Sequence, residues 1–270
     1  NTWFAPFRPE EVNFNYTEAN AWQYSLFVPQ DISGHIKLMG GPKNYEQHLD
    51  NMFNASTETS GREQPDVTGL IGQYAHGNEP SHHMAYLYNY VGKPHKTQKI
   101  VRQILDEQYT SLPDGLSGNE DCGQMSAWYV LSAMGFYSVT PGLDYYTIGT
   151  PIFEKATINL ENGNAFTIVA NNVSDKNIYI QSATLNRKIF EHSFIKHSDI
   201  VKGGSLVFEM GSSPSSWASG SIPLSSITKN EIVAVPYFVA ESQTFTDKLS
   251  IELGSAVGGD IYYIINDDSE

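Results

Sequence analysis

Two glycine-bearing turns place carboxylates directly ahead of helical stretches: His76-Gly77-Asn78-Glu79-Pro80-Ser81-His82-His83 and Gly118-Asn119-Glu120-Asp121-Cys122-Gly123-Gln124. Rigid structure behind such a turn can aim a carboxylate into a cleft, whereas acids that serve only solubility scatter along exposed faces. A third acid, Glu18, lies in Tyr16-Thr17-Glu18-Ala19-Asn20-Ala21-Trp22-Gln23-Tyr24, where aromatic and amide side chains crowd as they do around a sugar ring. Cleaving a glycoside takes one acid to protonate the leaving oxygen and a second carboxylate to activate water or attack, so separated acids in one cleft are its minimum equipment. Plainer roles exist for both: Glu18 as an acid favoured by a helix macrodipole, Asp121 as the N-cap of the helix after it.

Helical periodicity supplies the elements that must position these groups. Tyr45, Leu49, Met52 and Phe53 recur at helix spacing after the breaker Gly40-Gly41-Pro42, and Met84, Leu87, Tyr88 and Val91 do so up to Gly92. Pro94 opens a further helix carrying Val101, Ile104, Leu105 and Tyr109, and another runs from about Gly123 through Met125, Trp128 and Leu131 to Gly135. Near residue 140 alternation takes over: residues 156–160, 166–170, 178–180 and 205–209 read as short strands, with Glu161-Asn162-Gly163-Asn164 as a hairpin turn. The expected fold class is α+β, an antiparallel sheet following a helical region, with a last β segment from Tyr237 to Ile265.

Composition narrows the partners. The net charge of −14, with no block of Lys and Arg to neutralise phosphates, argues against nucleic acid. A neutral or cationic ligand suits an acidic surface, and a sugar or a divalent ion fits that description. One cysteine, Cys122, excludes an internal disulfide framework. No apolar run is long enough to span a bilayer. The chain begins as though in mid-domain, and the sequence reads as a fragment.

These blocks resemble glycoside hydrolase family ninety-two, the calcium-dependent bacterial exo-α-mannosidases. Glu18 to Asp31 is similar to its acid-bearing block, His76 to His83 to its Gly-Asn-Glu-Pro block, and Asn119 to Trp128 to its acid-Gly-Gln block, with further likeness over residues 149–160 and 205–210. The resemblance implies the later helices of an (α/α)6 barrel over 1–140, a trailing antiparallel sheet over 141–225 and the start of a truncated β module over 226–270. The terminal Ile261-Tyr262-Tyr263 and Asp267-Asp268-Ser269-Glu270 resemble the opening of an immunoglobulin-like module. Glu18 is implied as general acid and Asp121 as general base, inverting the anomeric carbon. The implied substrate is a terminal α-mannoside of a glycan, most commonly α-1,2-linked, met in the periplasm or outside the cell. Gln30 stands where a histidine is usual. Asn119 stands where an aspartate often accompanies the base, leaving Asp121 as the sole candidate.

Asn78 and Glu79 are the expected metal site. Calcium accepts carboxylate, amide, carbonyl and water oxygens together, which an Asn-Glu turn can supply while leaving positions for sugar hydroxyls. His82 and His83 invite zinc, but adjacent histidines on a helix point apart and there is a single thiol, so the oxygen-loving ion fits better. Trp22, Gln23, His82, His83 and Asn119 are the expected substrate contacts. Two alternatives make different predictions: a non-catalytic carbohydrate-binding fragment relying on Trp22 and Trp128, and an α/α-barrel glycosidase that needs no calcium.

Overall fold

The computed structural model describes residues 5–225, 236–240, 244–255 and 260–264. Strand β1 (Glu11–Val12) precedes a one-turn helix α1 (Ala21–Tyr24), and a 3-10 turn at Pro29–Asp31 leads into α2 (Ile32–Leu38). The Asp31 side chain accepts from the Gly34 N–H at 2.8 Å, satisfying one of the unpaired amides at that helix start. Gly41 takes φ 101° and Pro42 then opens α3 (Pro42–Asn54), since a first-turn residue needs no N–H donor. The stripe Tyr45, Leu49, Met52 and Phe53 faces the core, as its spacing requires. Strand β2 (Ser60–Gly61) pairs in parallel with β1, and β3 (Leu70–Ile71) pairs with β4 (Tyr74–Ala75) just before the first acidic turn.

The segment Met84–Val91 corrects the expected α-helix: it winds as a 3-10 helix. Every residue from Met84 to Tyr90 is buried, so no single stripe imposes a 3.6-residue period. Its end is tied to the sheet, where Asn89 Nδ2 donates to the carbonyls of Ile148 at 2.7 Å and Ser193 at 3.1 Å. Gly92, at φ 70°, stops it and α4 (Pro94–Glu107) begins. The expected helix included Tyr109, but α4 ends two residues earlier and the Tyr109 hydroxyl meets the His76 ring instead, at 2.7 Å. Helix α5 (Gln124–Met134) runs between left-handed glycines, Gly123 and Gly135.

Strands β5 (Phe136–Tyr137), β6 (Tyr145–Ile148), β7 (Lys155–Asn159), β8 (Ala165–Asn171), β9 (Tyr179–Leu185), β10 (Lys188–Ile189) and β11 (Phe194–Lys196) come next, then α6 (His197–Val201) and β12 (Gly204–Gly211). One sheet has the order β10-β9-β12-β8-β7 and a second β11-β6-β5. The Asn162-Gly163 hairpin joins β7 to β8, with Gly163 at φ 83°. The sheet is antiparallel with one correction, for β12 runs parallel to β8. The chain builds β9, β10 and β11 and passes through α6 before returning, so β12 enters between β8 and β9 in the direction of β8.

Two apolar clusters result, one among the helices and one on the sheet. Helix α5 serves both: Trp128 and Ala133 lie in the helical cluster, while Leu131 and Met134 pack on the sheet cluster. The turn that opens α5 is therefore backed by the whole core. The chain divides into two compact units, Asn1–Ser226 and Ile227–Glu270. In the second, β13 (Tyr237–Ala240) and β14 (Ile251–Gly254) form an antiparallel ribbon. The acidic terminus Asp267-Asp268-Ser269-Glu270 lies outside the described residues. Among those described, no helix is long and apolar enough to cross a membrane.

Candidate active site

Glu18 is exposed and held at φ 55°, a left-handed conformation that a residue with a side chain adopts at a cost of roughly 1–2 kcal/mol. The structure behind it enforces this. Asn20 caps α1, accepting from the Trp22 N–H at 3.0 Å, and its own N–H donates to Gln23 Oε1 at 2.7 Å. Asn20 Nδ2 donates to Gln73 Oε1 at 2.9 Å, Gln23 Nε2 donates to the Gln73 carbonyl, and Gln73 Nε2 reaches the Ser56 carbonyl at 2.6 Å. This buried amide ladder fixes the peptide just after Glu18, and Asn78 Nδ2 pins the Glu18 carbonyl itself at 2.8 Å. The acid on the first turn is thus anchored to the residue beside Glu79.

The second turn is held by backbone contact. A Cβ on Gly118 would stand 2.7 Å from Gly77 Cα and closer still to the Gly77 carbonyl, while one on Gly77 would strike the Ser117 carbonyl and the Thr68 hydroxyl. Only glycines let the Glu79 turn and the Asp121 turn touch in this way. Gly118→Ala is expected to cost about 1–3 kcal/mol by overpacking and to move Asp121 off line. Thermal melting of the intact enzyme, read beside turnover, checks this; an unchanged melting temperature with full turnover would contradict it.

Asp121, Cys122 and Gly123 are consecutively left-handed, at φ 43°, 57° and 90°. The side chain serving the start of α5 is that of Glu120, which accepts from the Ser126 N–H at 3.0 Å and the Ser126 hydroxyl at 2.9 Å. Asp121 does not act as N-cap, a place taken by Gly123, and its carboxyl is exposed. Strain of this kind persists where the surrounding structure dictates it, and such positions cluster at functional sites.

Glu79 feels both of the other acids. Its carboxyl is held above the usual carboxylate range, first by burial, an effect opposed by its own backbone N–H and reinforced by side-chain hydrogen bonding with Asp121 and by the charges of Asp121 and Glu18. Glu79 Oε1 is also buried with no protein partner, so one lone-pair set faces an unfilled role.

The expected substrate contacts divide. His82 donates from Nε2 to the His76 carbonyl at 3.0 Å and receives Gln124 Nε2 at Nδ1 at 3.1 Å, so both ring nitrogens are engaged by protein. His83 Nε2 donates to the Leu26 carbonyl at 2.9 Å. Burial pushes both imidazoles down to about 4, leaving them neutral at neutral pH. Gln23 is buried in the ladder. Trp22 is half-buried beside the His48 ring, with centroids 5.4 Å apart. Asn119 is exposed and donates to Asp66 at 3.3 Å. Trp128 is fully buried, its ring 4.5 Å from His76 and its Nε1 donating to the His82 carbonyl at 3.0 Å, so no sugar can stack on it.

Four residues outside the expected set also build the site: Asn20, Gln73, Gln124 and Tyr137. The Asn-x-x-Gln spacing from Asn20 to Gln23 was a legible helix-start signal; nothing local marked Gln73 or Tyr137. A cavity of about 510 Å³ lined by Tyr109, Leu112, Glu120, Tyr129 and Val130 lies beside the Asp121 turn, not between the acids.

The model of the glycosyl hydrolase family 92 catalytic domain matches residues 1–212. The chain belongs to that family. A family GH92 α-mannosidase of Bacteroides thetaiotaomicron, solved with mannoimidazole, superposes with a TM-score of 0.77 at 38% identity, covering 83% of this chain and 31% of that one. A second enzyme of that organism, described as a family GH92 inverting mannosidase, gives 0.72 at 36% identity over 83% of this chain and 32% of its own. A relative described as an uncharacterized secreted glycosidase, from Arthroderma benhamiae, is 32% identical over 206 residues, which are 75% of this chain and 24% of that protein. This family 92 chain thus spans about a quarter to a third of the relatives it matches.

Proposed function

We propose that the protein containing this chain removes terminal α-linked mannose from glycans, α-1,2-linked mannose foremost, with inversion at the anomeric carbon. The observation that carries this reading is that the turns bearing Glu18, Glu79 and Asp121 touch, through Asn78 on the Glu18 carbonyl and through Gly77 against Gly118, with Glu79 raised by burial first and then by Asp121 and Glu18. Glu18 donates a proton to the leaving oxygen. Asp121 takes a proton from the water that attacks the opposite face of the sugar. The mannosidase relatives, one of them described as inverting, support that assignment. Helices α2 to α5 are then later helices of an (α/α)6 barrel, and the enzyme acts in the periplasm or outside the cell, in keeping with a relative described as secreted.

Calcium fits the site. Among the described residues no three His, Cys, Asp or Glu side chains form a ligand cluster, so the fold offers no cage built of such side chains alone to calcium or to a transition metal. What it offers is a buried carboxylate oxygen without a partner and an excess of negative charge, which suits a hard cation that takes its remaining ligands from carbonyls, water and sugar. Glu79 and Asn78 would hold it. The ion would supply positive charge and grip vicinal oxygens of the sugar.

Chelation of the intact enzyme is expected to abolish mannose release from α-1,2-mannobiose, with calcium restoring it and zinc failing to. Glu79→Ala should match the chelated enzyme. Full activity after chelation would overturn the metal assignment and favour a calcium-independent glycosidase. Glycan binding without release of mannose would favour the binding-fragment reading.

A further inference from the structure

A cavity of about 360 Å³ opens where β1, β2 and the loop after β2 meet, lined by Val12, Ser60, Arg62, Glu63, Gln64 and Val67 among others. Two buried donors in its wall go unanswered: Ser60 Oγ and Arg62 Nε have no hydrogen-bond partner. Arg62 is half-buried, and among the described residues no protein acceptor takes any of its side-chain N–H groups. What holds the guanidinium is a ring, for its central carbon lies 4.8 Å from the centroid of Phe14, itself 91% exposed. On a chain of net charge −14, an arginine without a carboxylate is a group kept free for something else. Both walls of the cavity lead to the catalytic turns. From Val12 the chain runs through residues 13–17 into Glu18, while on the other side Asp66 accepts from Gln64 Nε2 and from Asn119 Nδ2, the latter at 3.3 Å and two residues before Asp121. The lining also selects its ligand. Glu63 in the wall and Glu11 beside Gly61 disfavour an anion, and the unpaired guanidinium disfavours a cation. A neutral, hydroxyl-rich molecule suits donors at Arg62 and Ser60, an acceptor at Glu63 and an apolar face at Phe14.

We propose that this cavity is a distal subsite for the leaving glycan, taking a neutral sugar beyond the one joined at the cleaved bond, with Arg62 as its specificity-determining residue. The general acid protonates the leaving oxygen, so the leaving glycan starts at Glu18 and extends over whatever flanks the loop that carries it. That flank is β1 and the cavity beside it. The subsite rests on the reading of Glu18 as proton donor, and it adds a preference for long glycans over short ones.

The test compares α-1,2-mannotetraose with α-1,2-mannobiose, whose leaving group is a single sugar, in the intact enzyme. The wild type is expected to have the higher kcat/KM on the tetrasaccharide. Arg62→Met keeps an apolar stem beside Phe14 and removes the donors, so it should cost roughly 10- to 100-fold on the tetrasaccharide, carried in KM, and less than about twofold on mannobiose. Ser60→Ala removes a hydroxyl that has no partner in the free protein, so melting temperature should hold or rise while the tetrasaccharide loses roughly 3- to 10-fold. Equal losses on the two substrates, or none on either, would overturn the proposal. Titration calorimetry of mannotetraose onto Glu18→Gln enzyme, with and without Arg62→Met, separates the subsite from the hydrolytic reading. Weaker binding with Arg62→Met supports the subsite whether or not the wild type releases mannose; equal binding overturns it even in an active mannosidase.

Discussion

Glu18→Gln in the intact enzyme is expected to lower turnover of an α-mannoside with a poor leaving group by roughly 10²–10⁴-fold, the range of general acid catalysis. Activated aryl mannosides, whose leaving groups need little protonation, should be largely spared. The substitution is clean because Glu18 is held through its backbone. Asn78 grips its carbonyl, and the Asn20–Gln23–Gln73 ladder fixes the residues next to it, so an amide at position 18 leaves the turn where it was. Melting temperature should hardly change. Equal loss on both kinds of substrate would count against Glu18 as the proton donor.

Asp121→Asn should be as damaging, by roughly 10²–10⁴-fold, but on every mannoside alike, since each needs its water activated. It should not destabilise the protein. Asparagine tolerates the left-handed backbone at position 121 better than most residues, and removing that charge relieves the Glu79 carboxyl, whose burial is aggravated by Asp121. An unchanged or raised melting temperature with lost turnover is the expected pair of results. Lost turnover together with a lowered melting temperature would instead make Asp121 a structural residue.

How much of the fold was legible in the sequence depends on the range of the interactions involved. Pro42, Gly92 and Gly135 act on their own turns, and Asn162-Gly163 on its own hairpin, so those boundaries were legible from local chemistry. The glycine-bearing turns with their acids were legible for the same reason. Nothing local announces that Gln73 closes a ladder more than fifty residues from Asn20, or that β12 returns beside β8 in parallel. The 3-10 winding of Met84–Val91 was hidden because a segment buried on all sides has no amphipathic period to read. His82 and His83 read as substrate contacts. Only the fold shows the ring nitrogens of His82 spent on His76 and Gln124, and that of His83 on Leu26. Tyr137 carries no local signal, and only the tertiary fold brings its hydroxyl to Gln124.

The central claim is that Glu18 and Asp121 act on opposite faces of the sugar with water between them, which corresponds to carboxyls about 6.5–9.5 Å apart. The most direct measurement is a time-resolved proton spectrum of an α-mannoside hydrolysed by the intact enzyme, recorded before the released sugar equilibrates. β-Mannose as the first product, with α-mannose growing in later by mutarotation, is the result predicted; α-mannose appearing first would contradict it.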